Sequence, residues 1–227
     1  MNVAIVVAAG KGTRLGGDRP KQFLELGGIP IIIHALRQFE RCKEIKEVIV
    51  VLPAQETAAF QSLAEKFELR KFFRAVAGGD TRAQSVQRGL AAIDEAEIVA
   101  VHDAVRPFVT PDEIDQTVQA AKVSGAAVLT GPVADTIKEI AQGQVIRTLA
   151  RPNLRRALTP QCFRYDLLKR AYDHLEEVES EGIKVTDDSM LVERLGVEIR
   201  ALEGSARNIK ITSAEDLILA EAILRQL

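Results

Sequence analysis

The chain has 227 residues, with 32 acidic and 30 basic side chains and a formal net charge of −2. A composition of 47% hydrophobic and 27% charged residues is that of a folded globular protein; it excludes a disordered chain and offers neither a basic coat for nucleic acid nor a polybasic membrane anchor. Eight Phe, two Tyr and no Trp leave the core to be packed by aliphatic side chains and provide no aromatic platform for single-stranded nucleic acid.

Residues 3–8 form a continuous apolar run closed by Gly10, the pattern of a strand buried on both faces. The run lacks the positive leader of a signal peptide, and no stretch approaches the ~18 apolar residues of a membrane span. Cys42 and Cys162 are far apart in the chain and have no metal-ligand spacing, so two reduced thiols and no protein-held metal are expected. A soluble, cytoplasmic protein without membrane or nucleic-acid partners follows as the expectation.

Helical spacing over 30–41 precedes a second buried strand at 47–52, stopped by Pro53. A helix at about 55–67 and a short strand at 72–76 come next. Thr81 to Gln84 reads as a capping box opening a helix to Ile93. A strand at 97–102 is followed by Thr110, Pro111, Asp112 and Glu113, a strong helix start, and then by a strand at 126–129. Repeated buried strands with intervening helices predict an α/β fold, a doubly wound, mostly parallel sheet.

The rhythm changes after Gly131 and Pro132. Short β-prone runs at 136–140 and 145–149 flank Gln142, Gly143 and Gln144, a hairpin that serves either as edge decoration or as a projecting arm. Thr159, Pro160 and Gln161 read as a fixed turn. A helix at 165–175, an acidic loop, a helix at 187–195 and a strand at 197–202 follow. Lys210 is expected in a short strand, and Ser213 with Asp216 caps the last helix. Without repeats or a linker, the expectation is a single domain over 1–227, with 133–152 as a β-hairpin arm.

The turn after the first strand, Ala8, Ala9, Gly10, Lys11, Gly12, Thr13, Arg14, brings backbone N–H groups close to an anion without side chains in the way. For a dinucleotide loop the third glycine comes one residue late, and no acid ends the second strand; a P-loop's closing Gly-Lys-Ser/Thr is absent. A nicotinamide-dependent reductase is therefore disfavoured, and a nucleoside triphosphate loop flanked by Lys11, Arg14 and Lys21 fits better. Gly78, Asp80, Arg82 and Ser85 lie between a strand and the start of its helix, where polar ligands bind. Asp103 ends a strand, in position for a metal or a ribose hydroxyl, and Arg106 suits a phosphate; a plain salt bridge between the two is the simpler alternative. No nucleophile constellation is present. A phosphate monoester acceptor explains that absence, because its second pKa of ~6 leaves it mostly dianionic at neutral pH.

Seven motifs occur in order: the A-A-G-x-G-x-R run from Ala8 to Arg14, P-K-Q at 20–22, G-G-x-x-R-x-x-S at 78–85, V-H-D-A-x-R-P at 101–107, D-T-x-K at 135–138, A-x-T-P-Q at 157–161 and N-I-K-x-T at 208–212. Together they resemble the 2-C-methyl-D-erythritol 4-phosphate cytidylyltransferases of the non-mevalonate isoprenoid pathway over essentially the whole chain. The resemblance implies a Rossmann-like nucleotidyltransferase that moves CMP from CTP to a sugar or polyol phosphate, with Mg²⁺ held chiefly by the triphosphate. It implies catalytic roles for Arg14, Lys21, Arg151 and Lys210. Nucleotide contacts would come from Ala8, Ala9, Gly10, Gly12, Lys21, Gly78, Asp80, Arg82, Ser85 and Asp103. Acceptor contacts would come from Asp103, Arg106, Thr136, Arg151, Thr186 and Lys210. The hairpin becomes a homodimerisation arm that carries Thr136 and Arg151 to the partner's site. Ala150 and Arg155 stand where family members often have Asp and Trp. A related group that uses ribitol 5-phosphate shares most of these motifs and is the alternative reading.

Overall fold

A computed structural model describes residues 1–10 and 20–227. The proposed loop residues Lys11, Gly12, Thr13 and Arg14 lie outside the described residues. The chain begins with β1 (Asn2–Val7), a two-stranded ribbon of β2 (Glu25–Leu26) and β3 (Ile29–Pro30), and α1 (Ile31–Arg41). β4 (Glu47–Leu52), α2 (Thr57–Lys66), β5 (Phe72–Ala77), α3 (Arg82–Ala91), β6 (Ile98–Asp103) and α4 (Pro111–Ser124) complete the first half. The second half runs through β7 (Ala126–Pro132), β8 (Lys138–Ala141), β9 (Gln144–Thr148) and β10 (Arg155–Arg164). It ends with α5 (Tyr165–Asp173), α6 (Leu175–Ser180), α7 (Ser189–Glu193), β11 (Arg200–Glu203) and α8 (Ala214–Leu224).

Seven strands form one sheet in the order β11-β7-β10-β6-β1-β4-β5. Every pairing is parallel except the two made by β10, which runs against both β6 and β7. This is the mostly parallel α/β sheet read from the alternation. Successive residues of the central strands point to opposite faces, and both faces are dry. Ala4, Val6, Val48 and Val50 pack with Ile32 and Phe39 of α1 and with Ile114 and Val118 of α4. Val3, Ile5, Ile49 and Val51 pack on the other face with Val86 and Leu90 of α3 and Leu168 of α5. Two-sided burial is why these strands read as unbroken apolar runs. A third cluster, with Leu26, Phe108, Ile211 and Ala220, seats α8 against the β2–β3 ribbon.

Helix starts follow their caps. The Thr110 side chain and the Glu113 carboxylate satisfy each other's backbone N–H groups, as do Ser213 and Asp216. At α3 only half of the expected box forms: Thr81 accepts from the Gln84 N–H, while Gln84 Oε1 accepts from the Asp80 N–H instead.

The hairpin lies where its sequence put it. Gln142 and Gly143 both have positive φ, 51° and 78°, as a two-residue hairpin turn of matching twist requires. All residues of β8 and β9 are exposed. Arg155 of β10 pairs with Pro132 of β7, so the arm is the tip of a long β7–β10 hairpin projecting from the sheet.

Four expectations need correction. Thr159–Gln161 is not a turn but lies within β10, where the register shifts between Ala157 and Gln161; the proline, with no N–H for a ladder, hid the strand. The acidic stretch expected as a loop carries α6, whose Leu175 and Val178 bury beneath an acidic exterior. The helix expected at 187–195 shortens to α7, with Asp188 as its cap residue. Lys210 is not in a strand: the segment at 208–212 is irregular and is tied to the sheet's end by the Ile211 N–H donating to the Val105 carbonyl.

Candidate functional site

The C-terminal ends of β1 and β6 stand side by side, with Val7 opposite Asp103. Beyond them opens a cleft of about 180 Å³. Ala8, Ala9, Gly10 and Lys21 form one wall, Asp80, Arg82 and Ser85 another, and Asp103 and Lys210 close it. Sequence segments more than a hundred residues apart therefore meet at the carboxyl edge of a parallel sheet, where open α/β folds bind ligands.

The first wall is pinned by the glutamine of the P-K-Q motif, to which the sequence assigned no role. Gln22, buried in the 3-10 turn Lys21–Phe23, donates its side-chain N–H to the Ala8 carbonyl, so that Lys21 faces the cleft. The second wall is built by close approach. A Cβ on Gly78 would come within 2.2 Å of the Ala9 Cβ, so only glycine lets the two walls meet there. Ser85 is buried; its hydroxyl accepts from the Gly79 N–H (3.1 Å) and donates to the Thr81 carbonyl (2.8 Å), fixing the turn that presents Asp80 and Arg82. Gly79 and Thr81 also line the cleft and were not assigned from the sequence.

Asp103 is the electrostatic centre. Its Oδ1 accepts from Arg82 Nε at 2.9 Å; its Oδ2 lies 2.8 Å from Lys210 Nζ and 3.6 Å from Arg106 Nε. Burial alone would raise its pKa, but Arg82, Lys210 and Arg106 overrule that effect and hold the carboxyl well below the usual carboxylate range. The Asp103–Arg106 pairing weighed from the sequence is present, as one part of this larger cluster. Burial likewise opposes the charge on Arg82, yet Asp188 and Asp103 raise its pKa well above the ordinary value.

His102 stays out of the chemistry. It is fully buried, and burial lowers its pKa to about 4. Its Nε2 lies 3.1 Å from the Arg106 carbonyl and its Nδ1 2.9 Å from the Thr159 hydroxyl, which also accepts from the Asp103 N–H at 3.2 Å. With donors assigned from these partners, a neutral imidazole protonated at Nε2 locks the strand end that carries Asp103.

Several expected site residues do not line this cleft. Arg106 is buried and donates to the Asn208 carbonyl (3.0 Å) and the Ala157 carbonyl (3.4 Å), bracing the segments around the cleft. Thr186 is exposed before α7, with its hydroxyl 3.9 Å from Met190 Sδ. Thr136 and Arg151 are exposed at the base of the arm, where Arg151 Nη1 donates to the Ala134 carbonyl at 2.8 Å. Among the described residues no group of three His, Cys, Asp or Glu side chains could hold a metal, and no helix is long and apolar enough to cross a membrane.

The decisive comparison is at the level of the whole chain. The family model of 2-C-methyl-D-erythritol 4-phosphate cytidylyltransferase (IspD) matches residues 2–226. The chain belongs to this family. An enzyme of that name from Bacillus velezensis is 43% identical over 224 residues, spanning 98% of this chain and 95% of the relative. One from Pelotomaculum thermopropionicum is 42% identical over 98% of this chain and 93% of its own length. Among solved structures, the 4-diphosphocytidyl-2C-methyl-D-erythritol synthase of Anaerococcus prevotii superposes with a TM-score of 0.87 at 33% identity, covering 99% of this chain and 96% of that one. The Thermus thermophilus cytidylyltransferase gives 0.78 at 32% identity, with coverage of 97% and 98%. This cytidylyltransferase thus has the nucleotidyltransferase sheet of its family, and among the described motif residues Lys21, Asp80, Arg82, Ser85, Asp103 and Lys210 line one cleft.

Proposed function

We propose that the chain transfers CMP from CTP to 2-C-methyl-D-erythritol 4-phosphate, giving 4-diphosphocytidyl-2-C-methyl-D-erythritol and pyrophosphate. The observation that carries this reading is the convergence of Lys21, Arg82, Asp103 and Lys210 on one glycine-walled cleft in a chain matched by the family from end to end. An oxygen of the acceptor phosphate forms a bond to the α-phosphorus, and the bond from that phosphorus to the β-phosphate oxygen breaks. The acceptor is already a dianion, so no side chain has to remove a proton. What the site has to supply is positive charge where two anions meet and where the pyrophosphate departs.

Lys21, on the cleft wall beside Ala8, Ala9 and Gly10, meets the triphosphate, and the family motif gives Arg14 the same role. Lys210, oriented by Asp103, positions the acceptor phosphate. Asp80, Arg82 and Ser85 surround the base and ribose. The carboxylate of Asp103 is already paired with three cations, so Mg²⁺ would be held chiefly by the triphosphate and would screen its charge. The exposed arm pairs two copies into a homodimer and delivers Thr136 and Arg151 to the acceptor side of the other copy's cleft, beside Thr186 and Arg106. The enzyme works in the cytoplasm on small soluble substrates.

The test supplies CTP, Mg²⁺ and a panel of sugar and polyol phosphates and measures pyrophosphate. Methylerythritol phosphate is expected to be turned over fastest; a preference for ribitol 5-phosphate overturns the acceptor, and release with none of them leaves only a nucleotide-binding module.

A further inference from the structure

The nucleotide wall is held from behind by groups that the reaction itself does not use. Arg82 is bound at two points: its Nε donates to Asp103 at 2.9 Å, and its Nη2 donates to Asp188 Oδ2 at 2.8 Å. Asp188 is fully buried and does not line the cleft. Its other oxygen, Oδ1, accepts from the Tyr172 hydroxyl at 2.6 Å, and Tyr172 is itself buried on α5. The backbone at Asp188 is anchored separately: the N–H groups of Asp188 and Ser189 both donate to Gln161 Oε1 at 3.0 Å. The side-chain N–H of Gln161 donates to Asp187 Oδ2 at 2.8 Å. The Asp188 carboxylate is therefore held by the Tyr172 hydroxyl from α5, while its backbone is anchored by Gln161 from β10, so both ends of the residue are tied independently of Arg82.

A half-buried arginine held between two carboxylates has one orientation rather than many, because its planar fork matches each carboxylate in a defined direction. Tyr172 spends its only O–H on Asp188, a charge-assisted bond in a dry environment. That expense of a buried polar group, 16 residues from its acceptor in sequence, has no counterpart in packing: a phenylalanine would fill the same space.

We infer that Tyr172 and Asp188 are positioning residues for nucleotide binding, holding Arg82 in the orientation that meets CTP. The inference rests on the reading of this cleft as the CTP site. Neither residue touches substrate; they act through Arg82. The relay ends at the nucleotide side of Asp103, whereas Lys210 reaches Asp103 through the other oxygen, so loosening the relay affects the nucleotide more than the acceptor.

The test is Tyr172→Phe, with Asp188→Asn as the stronger variant, measured by direct binding of Mg²⁺–CTP, by steady-state KM for both substrates and by thermal unfolding. Tyr172→Phe is expected to weaken CTP binding about tenfold, the scale of one lost charge-assisted hydrogen bond. The KM for the acceptor is expected to change less than about twofold and folded protein to be fully retained. Asp188→Asn is expected to weaken CTP further, and adding Tyr172→Phe to it should cost little more, because the phenol then has no carboxylate to hold. Unchanged CTP affinity in Tyr172→Phe overturns the inference, as does a parallel loss of both substrates' affinities in step with unfolding. If Asp188→Asn does not fold, Tyr172→Phe alone decides. Because CTP binding is measured directly, an unmodified enzyme that binds CTP but transfers CMP from it to no acceptor refutes the proposed activity and leaves this relay to be judged on affinity.

Discussion

Asp103→Asn is the most informative single change, because it keeps the shape of the side chain and removes the charge at which three cations meet. The Asp103 side chain is 8% exposed and that of Arg82 21%, so their 2.9 Å contact is shielded from solvent. Removing one partner of a buried pair costs about 3–5 kcal/mol, since the other charge is left uncompensated. Three features put this site at the lower end: Arg82 keeps Asp188, Arg106 keeps two backbone carbonyls, and Lys210, 38% exposed, regains water and contributes little. The expected destabilisation is about 3 kcal/mol at neutral pH, which for a chain of this size lowers Tm by about 6–12 °C. The pH dependence has a definite sign. A carboxyl held below its unfolded value contributes fully above pH ~4 and loses that contribution as the pH falls through the depressed folded value. Calorimetry at pH 7 gives the first quantity, and denaturant unfolding from pH 7 down to pH ~3 gives the second. In Asp103→Asn this share of the acid sensitivity should vanish. A Tm within about 2 °C of the parent, with the acid limb intact, would show that Asp103 is not the electrostatic centre described above.

Further outcomes follow from the same geometry. Gly78→Ala forces a Cβ against Ala9 and should destabilise the fold by about 1–3 kcal/mol and weaken CTP binding together. Gly10→Ala meets no described atom within 4 Å, so unfolding should stay near the parent while CTP affinity falls; equal loss of both in the two variants contradicts the distinction. The unfolded chain protonates His102 at about 6.5 while the folded one resists until about 4, which contributes up to about 3 kcal/mol that disappears as pH falls through that window. His102→Gln should therefore flatten the loss of stability between pH 6.5 and 4, and an unchanged slope argues against a neutral buried imidazole. Lys21→Ala should lower kcat at least ~100-fold, and near-normal turnover counts against its charge-stabilising role. If the arm carries Arg151 to the other copy's site, mixing inactive Lys21→Ala and Arg151→Ala proteins should regenerate roughly a quarter of the parent activity through mixed dimers, whereas no recovery means that each copy supplies its own arginine.

The fold was legible where a single physical constraint acted on consecutive residues. Two-sided burial wrote β1, β4 and β6 as apolar runs, and capping wrote the starts of α4 and α8 as short polar signatures. β10 was hidden because Pro160 and the run of Arg155 and Arg156 carry no strand period; what makes it a strand is the pairing with β6 and β7 on either side, which no local pattern records. α6 was hidden by its acidic surface, since only Leu175 and Val178 face inward. In the site, Asp80, Arg82, Ser85 and Asp103 could be read from their positions at strand ends. The roles of Gln22, which the sequence showed only as part of P-K-Q, and of Asp188 and Tyr172 could not, because they lie in contacts with residues distant in the chain. Lys210 was recoverable only through the family motif, as its own segment has no regular structure.

The most direct measurement of the central chemistry follows one oxygen. Methylerythritol phosphate carrying heavy oxygen in its phosphate is incubated with CTP, Mg²⁺ and the enzyme, and the products are separated and read by phosphorus NMR and mass spectrometry. Attack by the acceptor phosphate on the α-phosphorus leaves heavy oxygen at the bridge of the new diphosphate and none in the pyrophosphate. Heavy oxygen in the released pyrophosphate, or CTP cleaved without a cytidylyl product, would contradict it.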